Sequence, residues 1–247
     1  MEILESGSSA AAGGTSFKVL APLSCGAIYG STVVPISGGD SEWGQVLLIG
    51  GQNEGIEETS AVHLVDLASG VCTAQASLLC HPDSHFFGCG AGRLQDGRIV
   101  CVGATLQLTY QGTTQVMEPP PHGSLSEASW RWRSLPNASA LHAGGGGCVL
   151  SDGRFAVFGG KDASNAISSS CEALTLDADG ERWDALPSMH EARCEFACAA
   201  IGGCVIVAGG DGFTSSEVYE EGLERWRRLP CSLPFDTQLF AAGSAVM

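Results

Sequence analysis

Four apolar runs along the chain each end in a pair of small residues. They are VLLIGG (46–51), RIVCVGA (98–104), RFAVFGG (154–160) and CVIVAGG (204–210). The pairs lie about 50 to 56 residues apart, which is too long for helical hairpin repeats and fits units of four β-strands. The pattern therefore predicts an internal repeat in which each run is one strand of a propeller blade.

A second marker keeps the same spacing. The segments WRSLP at Trp132, WDALP at Trp183 and WRRLP at Trp226 each follow a strand-like stretch and precede a turn. An indole is large enough to fill the wedge between two blades, and paired glycines let the backbone turn sharply where blades crowd together. We therefore expect structural roles for both markers. The GGGG run (144–147) is followed by neither Lys-Ser nor Lys-Thr and opens no helical pattern, which argues against a phosphate loop.

The order of these markers resembles the kelch repeat. Gly-Gly closes an inner strand, an acidic or aromatic position follows as in EVYEE (217–221), and Trp with Leu-Pro comes next. The resemblance covers nearly the whole chain and is strongest between Leu141 and Pro230. It implies an all-β fold, a kelch-type β-propeller with four full four-stranded blades.

Two blades depart from the pattern. Cys72 and Thr73 stand where the tryptophan of the first blade belongs, and the middle blade has Ala104 for its second glycine and an insertion through Pro119, Pro120 and Pro121. We expect these blades to be looser or more decorated.

The two ends of the chain predict a fifth blade that they share. EILESG from Glu2 aligns with EVYEEG from Glu217, and Phe17 takes the tryptophan position, whereas TQLFAAGSAVM from Thr237 resembles the opening strand of a blade. Two alternatives stay open: the ring closes with a three-stranded shared blade, or the chain is a fragment of a six- or seven-bladed propeller. The expected organisation is a single domain, 1–247, with blade pieces at approximately 1–23, 24–79, 80–136, 137–187, 188–230 and 231–247.

Composition fits one large β-domain and limits the classes of partner. The chain has 247 residues, 44% hydrophobic residues, 34 glycines and a net charge of −15. Its 12 Lys and Arg residues are too few and too scattered for a nucleic-acid surface, so a basic or neutral peptide is the favoured ligand. The alternative is that the acidity serves only solubility. Without a membrane-spanning stretch or a basic, apolar leader, we expect a cytoplasmic protein whose 11 cysteines are reduced.

Candidate binding residues lie on loops that a four-stranded meander brings to one face of the propeller. These loops join second to third strands and one blade to the next, and they are rich in Asn, Asp, Glu, Ser and His. The candidate partner-binding residues are Glu57, Glu58, His81, His85, Lys161, Asp162, His190, Arg193 and Asp211.

Three chemical hypotheses are disfavoured. Cys80, His81, His85 and Cys89 have ligand types that suit zinc, but the run crosses from a turn into a strand, so ordinary turn histidines are favoured. FFGCGAGRLQDGR (86–98) is similar to the propeller of copper radical oxidases of the galactose or glyoxal oxidase type, but Gly144 stands where the cross-linking tyrosine belongs. No nucleophile elbow indicates a serine hydrolase.

The sequence therefore predicts a non-catalytic protein-protein interaction module or scaffold without metal or cofactor. It is expected to bind a protein or peptide through the loops of one face, and to bind neither nucleic acid nor membrane. Kelch-like proteins often recognise substrates for ubiquitin ligases, and RCEFACAAIGGCVIVAGG (193–210) resembles kelch units found beside F-box domains. This resemblance implies ubiquitin-ligase components as partners.

Overall fold

The computed structural model describes residues 2–6, 15–19, 22–26, 31–36, 44–51, 60–79, 85–106, 110–118 and 130–232. Within these ranges, residues 2–6, 15–19, 85–89, 104–106, 110–111 and 231–232 are described by their backbone alone. The described chain is almost entirely β-structure, with one short 3₁₀ helix at Glu221–Leu223. No helix of the described part has the length and apolar character needed to cross a bilayer.

The strands form one hairpin and four antiparallel four-stranded sheets, in each of which consecutive strands are neighbours. The hairpin consists of β1 (Glu2–Ser6) and β2 (Thr15–Val19). The first blade consists of β3 (Thr32–Ile36), β4 (Gln45–Ile49), β5 (Val62–Asp66) and β6 (Cys72–Ala74). The second consists of β7 (His85–Arg93), β8 (Ile99–Leu106), β9 (Tyr110–Glu118) and β10 (Arg131–Leu135).

The third and fourth blades repeat this meander. The third consists of β11 (Gly146–Val149), β12 (Phe155–Phe158), β13 (Cys171–Asp177) and β14 (Gly180–Leu186). The fourth consists of β15 (Ala197–Ile201), β16 (Cys204–Ala208), β17 (Ser215–Glu220) and β18 (Arg225–Ser232). Four full blades are therefore present, as the repeat predicts.

The blades are joined through their first strands, since β3 contacts β7, β7 contacts β11 and β11 contacts β15. Glycines make this close approach possible. A Cβ on Gly90 would lie 2.7 Å from the Cα of Gly147, and a Cβ on Gly146 would lie 2.6 Å from the Cβ of Cys198. The GGGG run therefore serves packing between blades, which agrees with the sequence argument against a phosphate loop.

The second strands of the second and third blades, β8 and β12, each supply side chains to two interfaces between blades, because alternate residues of a strand point to opposite faces. In β8, Ile99 and Cys101 pack with the first blade, whereas Val100 and Val102 pack with Phe155 of the third. The strand is consequently buried on both faces and reads as an unbroken apolar run. The same division recurs in β12, where Phe158 joins the cluster shared with the fourth blade.

The tryptophans connect each blade to the one before it. The indole N–H of Trp132 donates to the Ala76 carbonyl, that of Trp183 to the Pro136 carbonyl and that of Trp226 to the Pro187 carbonyl, each over 2.8 Å. Trp132 and Trp226 are buried, as the wedge argument requires. Trp183 is only half-buried but packs against the apolar cluster between the second and third blades, so it also has the expected structural role.

Three of the four small-residue pairs follow the second strand of their blade in a left-handed backbone conformation. Gly159 and Gly160 have φ values of 57° and 88°, and a Cβ on Gly159 would lie 2.6 Å from the Arg193 carbonyl oxygen of the next blade connection. Gly103 is different because it lies inside β8, which runs on to Leu106. The second blade therefore departs from the pattern by having longer strands.

The fifth blade is not established by these strands. The β1–β2 hairpin agrees with two outer strands at the N-terminal end, but the C-terminal contribution, 233–247, lies outside the described residues. So does the insertion at Pro119, Pro120 and Pro121. Closure by a shared blade and the domain boundaries stay predictions.

Candidate partner-binding face

One end of the blades gathers the loops between second and third strands and the connections between blades. The described loops and parts of loops at this end, which we call the loop face, are 50–51, 60–61, 75–79, 136–145, 159–170, 187–196 and 209–214. Backbone hydrogen bonds join them: Gly160 N–H donates to the Arg193 carbonyl over 2.7 Å, and Asp211 N–H to the Cys194 carbonyl over 3.0 Å. Neighbouring loops are therefore fixed to one another.

A polar side chain on the third strand of each of three blades holds the connection that enters its blade. Glu172 accepts the N–H groups of Ser139 and Ala140 at 2.9 and 3.0 Å. In the fourth blade, Glu217 accepts those of His190 and Glu191, again through both carboxylate oxygens. These buried carboxylates accept hydrogen bonds from backbone N–H groups that would otherwise lack a partner in the turn.

The second blade uses an amide for the same purpose. Gln115 accepts the N–H of Leu79 at 2.7 Å through Oε1 and donates to the Leu79 carbonyl through Nε2. Gln115, Glu172 and Glu217 occupy one register position, two residues before the residue that pairs with the tryptophan. The loop face is thus held by a repeated side-chain clamp.

His142 adds a second support in the third blade. It is 1% exposed, with Nδ1 2.6 Å from the Gly159 carbonyl oxygen and Nε2 3.1 Å from Oε1 of Glu172. Burial raises the pKa of Glu172, but hydrogen bonds from His142, Ser139 and Ala140 outweigh it and lower the pKa to about 2. The carboxylate is therefore held in its charged form.

Arg193 takes the place of His142 in the fourth blade. It is 0% exposed, and its guanidinium donates to the carbonyls of Gly209 and Ser215 at 2.7 and 3.0 Å, forms ion pairs with Glu191 and Glu217, and lies 5.2 Å from the Phe213 ring centroid. The prediction that Arg193 contacts a partner does not fit this burial. Its donors are used to hold the loop from inside.

The other predicted residues in the described loops differ in their surroundings. The Asp162 carboxylate stabilises its own turn: Oδ1 accepts hydrogen bonds from the Ser164 N–H, the Ser164 hydroxyl and the Ala166 N–H at 2.7 to 3.0 Å. The hydrogen bond from the Ser164 hydroxyl, followed by that from Ala166, lowers the pKa of Asp162. His190 is exposed, with Nε2 3.2 Å from the Trp226 carbonyl oxygen.

Lys161 and Asp211 are brought together with Glu195 around the buried Cys194 thiol. Burial raises the pKa of Cys194, while the charge of Lys161 lowers it and those of Glu195 and Asp211 raise it. Glu195 was not among the predicted residues. Glu195 (φ 56°) lies two residues after Arg193, and Gly144 (φ 66°) lies two residues after His142. Alignment of these two connections between blades could therefore have identified Glu195 from the sequence.

Four of the predicted binding residues have no described side chain. Glu57, Glu58 and His81 lie outside the described residues, and His85 is described by its backbone alone. The zinc hypothesis depends on the same region, where Cys89 is the extra residue of a β-bulge in β7. Among described side chains, no group of three or more His, Cys, Asp or Glu residues is arranged to hold a metal ion.

Comparisons with known proteins agree with this architecture. No protein-family model matches the chain. It is 32% identical over 117 residues to the F-box/kelch-repeat protein At1g16250 of Arabidopsis thaliana, a match that covers 40% of this chain and 30% of that protein. It is 30% identical over 110 residues to the human Kelch-like protein 34, covering 39% of this chain and 17% of that protein. The chain is a kelch-repeat β-propeller.

A solved structure supports the fold of this kelch-repeat propeller. The chain superposes on the structure of YjhT with a TM-score of 0.64 and 13% sequence identity. The match covers 90% of this chain and 70% of the YjhT chain. This similarity concerns the fold alone. The chain spans less than a third of the length of each of the two curated relatives.

Proposed function

We propose that this kelch-repeat chain is a non-catalytic interaction module whose loop face binds an extended segment of a partner protein. The observation that carries the proposal is the contrast between the two sides of these loops. On the inside, Glu172, Glu217 and Arg193 hold the backbone through buried hydrogen bonds. The side chains of Glu195 and Asp211 take no part in these clamps, so a rigid frame presents them for binding.

Charge indicates the chemistry of the partner. In the described loops, the carboxylates of Asp162, Glu191, Glu195 and Asp211 outnumber the one lysine, Lys161. Arg193 is buried and adds no exposed positive charge. Together with the net charge of −15, this favours a partner segment that is basic or neutral.

Charge reversal tests the proposal directly. Peptides would be selected on the full chain from a random-sequence display library, and their affinities measured for wild type and for the double variant Glu195→Lys/Asp211→Lys. We expect selected peptides to be basic and to bind the variant at least tenfold more weakly, since complementary charges are replaced by like charges. The melting temperature should stay within a few degrees of wild type.

A matched control makes the same charge change at the other end of the blades. Asp179 lies in the β13–β14 turn, and Glu224, like Glu195, has a positive φ (48°). The variant Asp179→Lys/Glu224→Lys should bind the selected peptides as wild type does. Equal weakening in both variants would mean that net charge governs binding, and no weakening in either would mean that the loop face is not the site.

A narrower role is substrate recognition for a ubiquitin ligase. It is motivated by the F-box in the name of the Arabidopsis relative, which this chain matches over 30% of its length. Affinity purification of the tagged full chain should then recover cullin-type ligase components. Their absence would remove the ligase role and leave peptide binding by the loop face unaffected.

A further inference from the structure

The first blade has a cysteine, Cys72, where the other three described blades have a tryptophan. Trp132, Trp183 and Trp226 pair with Met117, Leu174 and Tyr219 of the neighbouring strand, respectively. In the first blade the same pairing joins Val65 to Cys72. The position whose side chain connects each later blade to the one before it is therefore a thiol.

Cys72 has a partner in the segment that precedes its blade. The Sγ atom of Cys25 lies 2.9 Å from that of Cys72. Backbone contacts hold the two segments together independently of the thiols: Ser24 N–H donates to the Gly70 carbonyl at 3.0 Å, and Cys72 N–H donates to the Ser24 hydroxyl at 2.8 Å. The approach of the two sulfurs is thus built into the local hydrogen bonding.

Exposure separates this pair from most other cysteines of the described chain. Cys101, Cys148, Cys171, Cys194 and Cys198 are buried, whereas Cys25 and Cys72 are half-buried. A small oxidant in solution can therefore reach the pair but not the buried thiols.

The two thiols also differ in acidity. Burial raises the pKa of Cys72, but hydrogen bonds from Cys25 and Ser24 outweigh it and lower the pKa below its ordinary value. Burial and the neighbouring Cys72 raise the pKa of Cys25 to about 11. The Cys25 thiol donates its hydrogen to the Cys72 sulfur, so Cys72 is the thiol of the pair that ionises more readily.

We propose that Cys25 and Cys72 are an oxidative modification site at which a disulfide fastens the segment Pro22–Gly26 to the outer strand of the first blade. The oxidant is a low-molecular-weight disulfide such as oxidised glutathione. The Cys72 thiolate attacks one of its sulfurs and releases one small thiol, forming a mixed disulfide. Cys25, after losing its proton, attacks the Cys72 sulfur and releases the second small thiol. Two cysteines are oxidised to one disulfide and one small disulfide is reduced to two thiols.

The disulfide would hold the segment 22–26 against the side of the first blade that faces away from the second blade. Leu23, two residues before Cys25, packs against Val46, Leu48 and Val65 on the side of the blade that faces away from the second blade. A covalent link between residues 25 and 72 also restricts the unfolded chain, so it stabilises the fold. Oxidation should therefore raise the melting temperature by roughly 5–15 °C.

The test incubates the full chain with defined ratios of reduced and oxidised glutathione. After alkylation of free thiols, peptide mapping by mass spectrometry under non-reducing conditions should identify a peptide linked through Cys25 and Cys72. The melting temperature should rise with formation of the link and return to its initial value with dithiothreitol. Single-site glutathionylation without the link, or links that join either residue to another cysteine, would overturn the proposal.

Serine variants keep the test independent of folding defects. Cys25→Ser and Cys72→Ser should melt as reduced wild type does and show no shift on oxidation. In the glutathione series, Cys72→Ser should leave Cys25 largely unmodified, whereas Cys25→Ser should trap glutathione on Cys72. The control is Cys204→Ser, because Cys204 is also half-buried but is not paired in this way. It should keep the full oxidative shift, and loss of the shift in Cys204→Ser would contradict the assignment.

Discussion

Single side chains fix the connections between blades in this propeller. Gln115, Glu172 and Glu217 hold successive connections from the same register position, and each satisfies backbone groups of the entering segment. Behind two of these clamps, His142 and Arg193 fill equivalent buried positions with different chemistry. At the residue scale, stability therefore depends on a few buried polar groups whose partners are all in place.

The pH dependence of stability should report the Glu172 clamp. The pKa of Glu172 is lowered from its ordinary 4.5 to about 2 in the fold, so between these pH values the unfolded chain binds the proton more readily. The stabilisation is present above pH 4.5 and is lost as pH falls toward 2, by on the order of 3 kcal/mol.

Urea unfolding of wild type and Glu172→Gln between pH 2 and pH 7 checks this expectation. The difference in unfolding free energy between the two proteins should be largest near neutral pH and should shrink as pH falls from 4.5 to 2. Asp179→Asn, which changes an exposed turn residue, serves as the control. A difference between wild type and Glu172→Gln that does not change with pH would contradict the prediction.

Substitution of Arg193 should destabilise the fold, because its guanidinium is buried among its hydrogen-bond partners. Arg193→Met leaves Glu217 buried without its cationic partner and should cost about 3–5 kcal/mol of unfolding free energy. Arg182→Met, at a position 53% exposed, should cost under about 1 kcal/mol. Adding Glu217→Gln to Arg193→Met should recover part of the loss, and a stable single variant would show that the network is dispensable.

The strand is the scale at which sequence predicted this structure best. Apolar runs of fixed spacing gave the second strands, and the WxxLP segments gave the fourth strands, because both depend on local alternation and on the blade repeat. Gly103 is the exception: its neighbour Ala104 continues β8 instead of starting a turn. Strand pairing with β7 and β9 decides that outcome, and pairing is not readable from one run.

The candidate site was predicted less completely, because contacts between separate segments decide which loop side chains are exposed. A turn rich in polar residues has the same composition whether its side chains face solvent or the core. Arg193 is buried because Glu217, Gly209 and Ser215 of the next sheet surround it. Lys161 and Asp211 both act on the Cys194 thiol only because loops of two blades lie side by side. Such tertiary neighbours cannot be inferred from the sequence of one loop.

The loss of unfolding free energy on substitution of a tryptophan should increase with the burial of its side chain. Trp226 is 6% exposed and lies against Tyr219 and Phe158, with ring centroids 5.3 and 5.8 Å away. Trp226→Ala should therefore cost about 3–5 kcal/mol, and Trp183→Ala about 1–3 kcal/mol because Trp183 is half-buried. Trp226→Phe keeps most of the packing but removes the donor to Pro187, which should cost about 1–2 kcal/mol.

Chemical denaturation measured by circular dichroism tests this ranking without relying on the fluorescence of the substituted residue. Equal losses for Trp226→Ala and Trp183→Ala would mean that burial does not decide their contributions. A Trp226→Phe variant as unstable as Trp226→Ala would assign the whole effect to the hydrogen bond.

At the scale of the molecule, the two outermost described blades differ in how their free sides are covered. Val46 and Leu48 of the first blade are 8% and 7% exposed, with Leu23 packed against them. In the fourth blade, Ile206 is 37% exposed, although Ala156 and Val100 at the same strand position are buried. The side of Ile206 is where a further blade would pack if the predicted shared blade is present.

The glycines of the innermost strands make the repeats of this protein non-interchangeable. A Cβ on Gly90 would clash with the backbone of Gly147, whereas a Cβ on Gly146 would clash with the side chain of Cys198. A blade moved to another place in the order would meet a partner strand with side chains where it needs none. Duplication or shuffling of single blades in an engineered variant would therefore require that the facing residues be exchanged as well, and the natural unit of replacement is an interface between two blades.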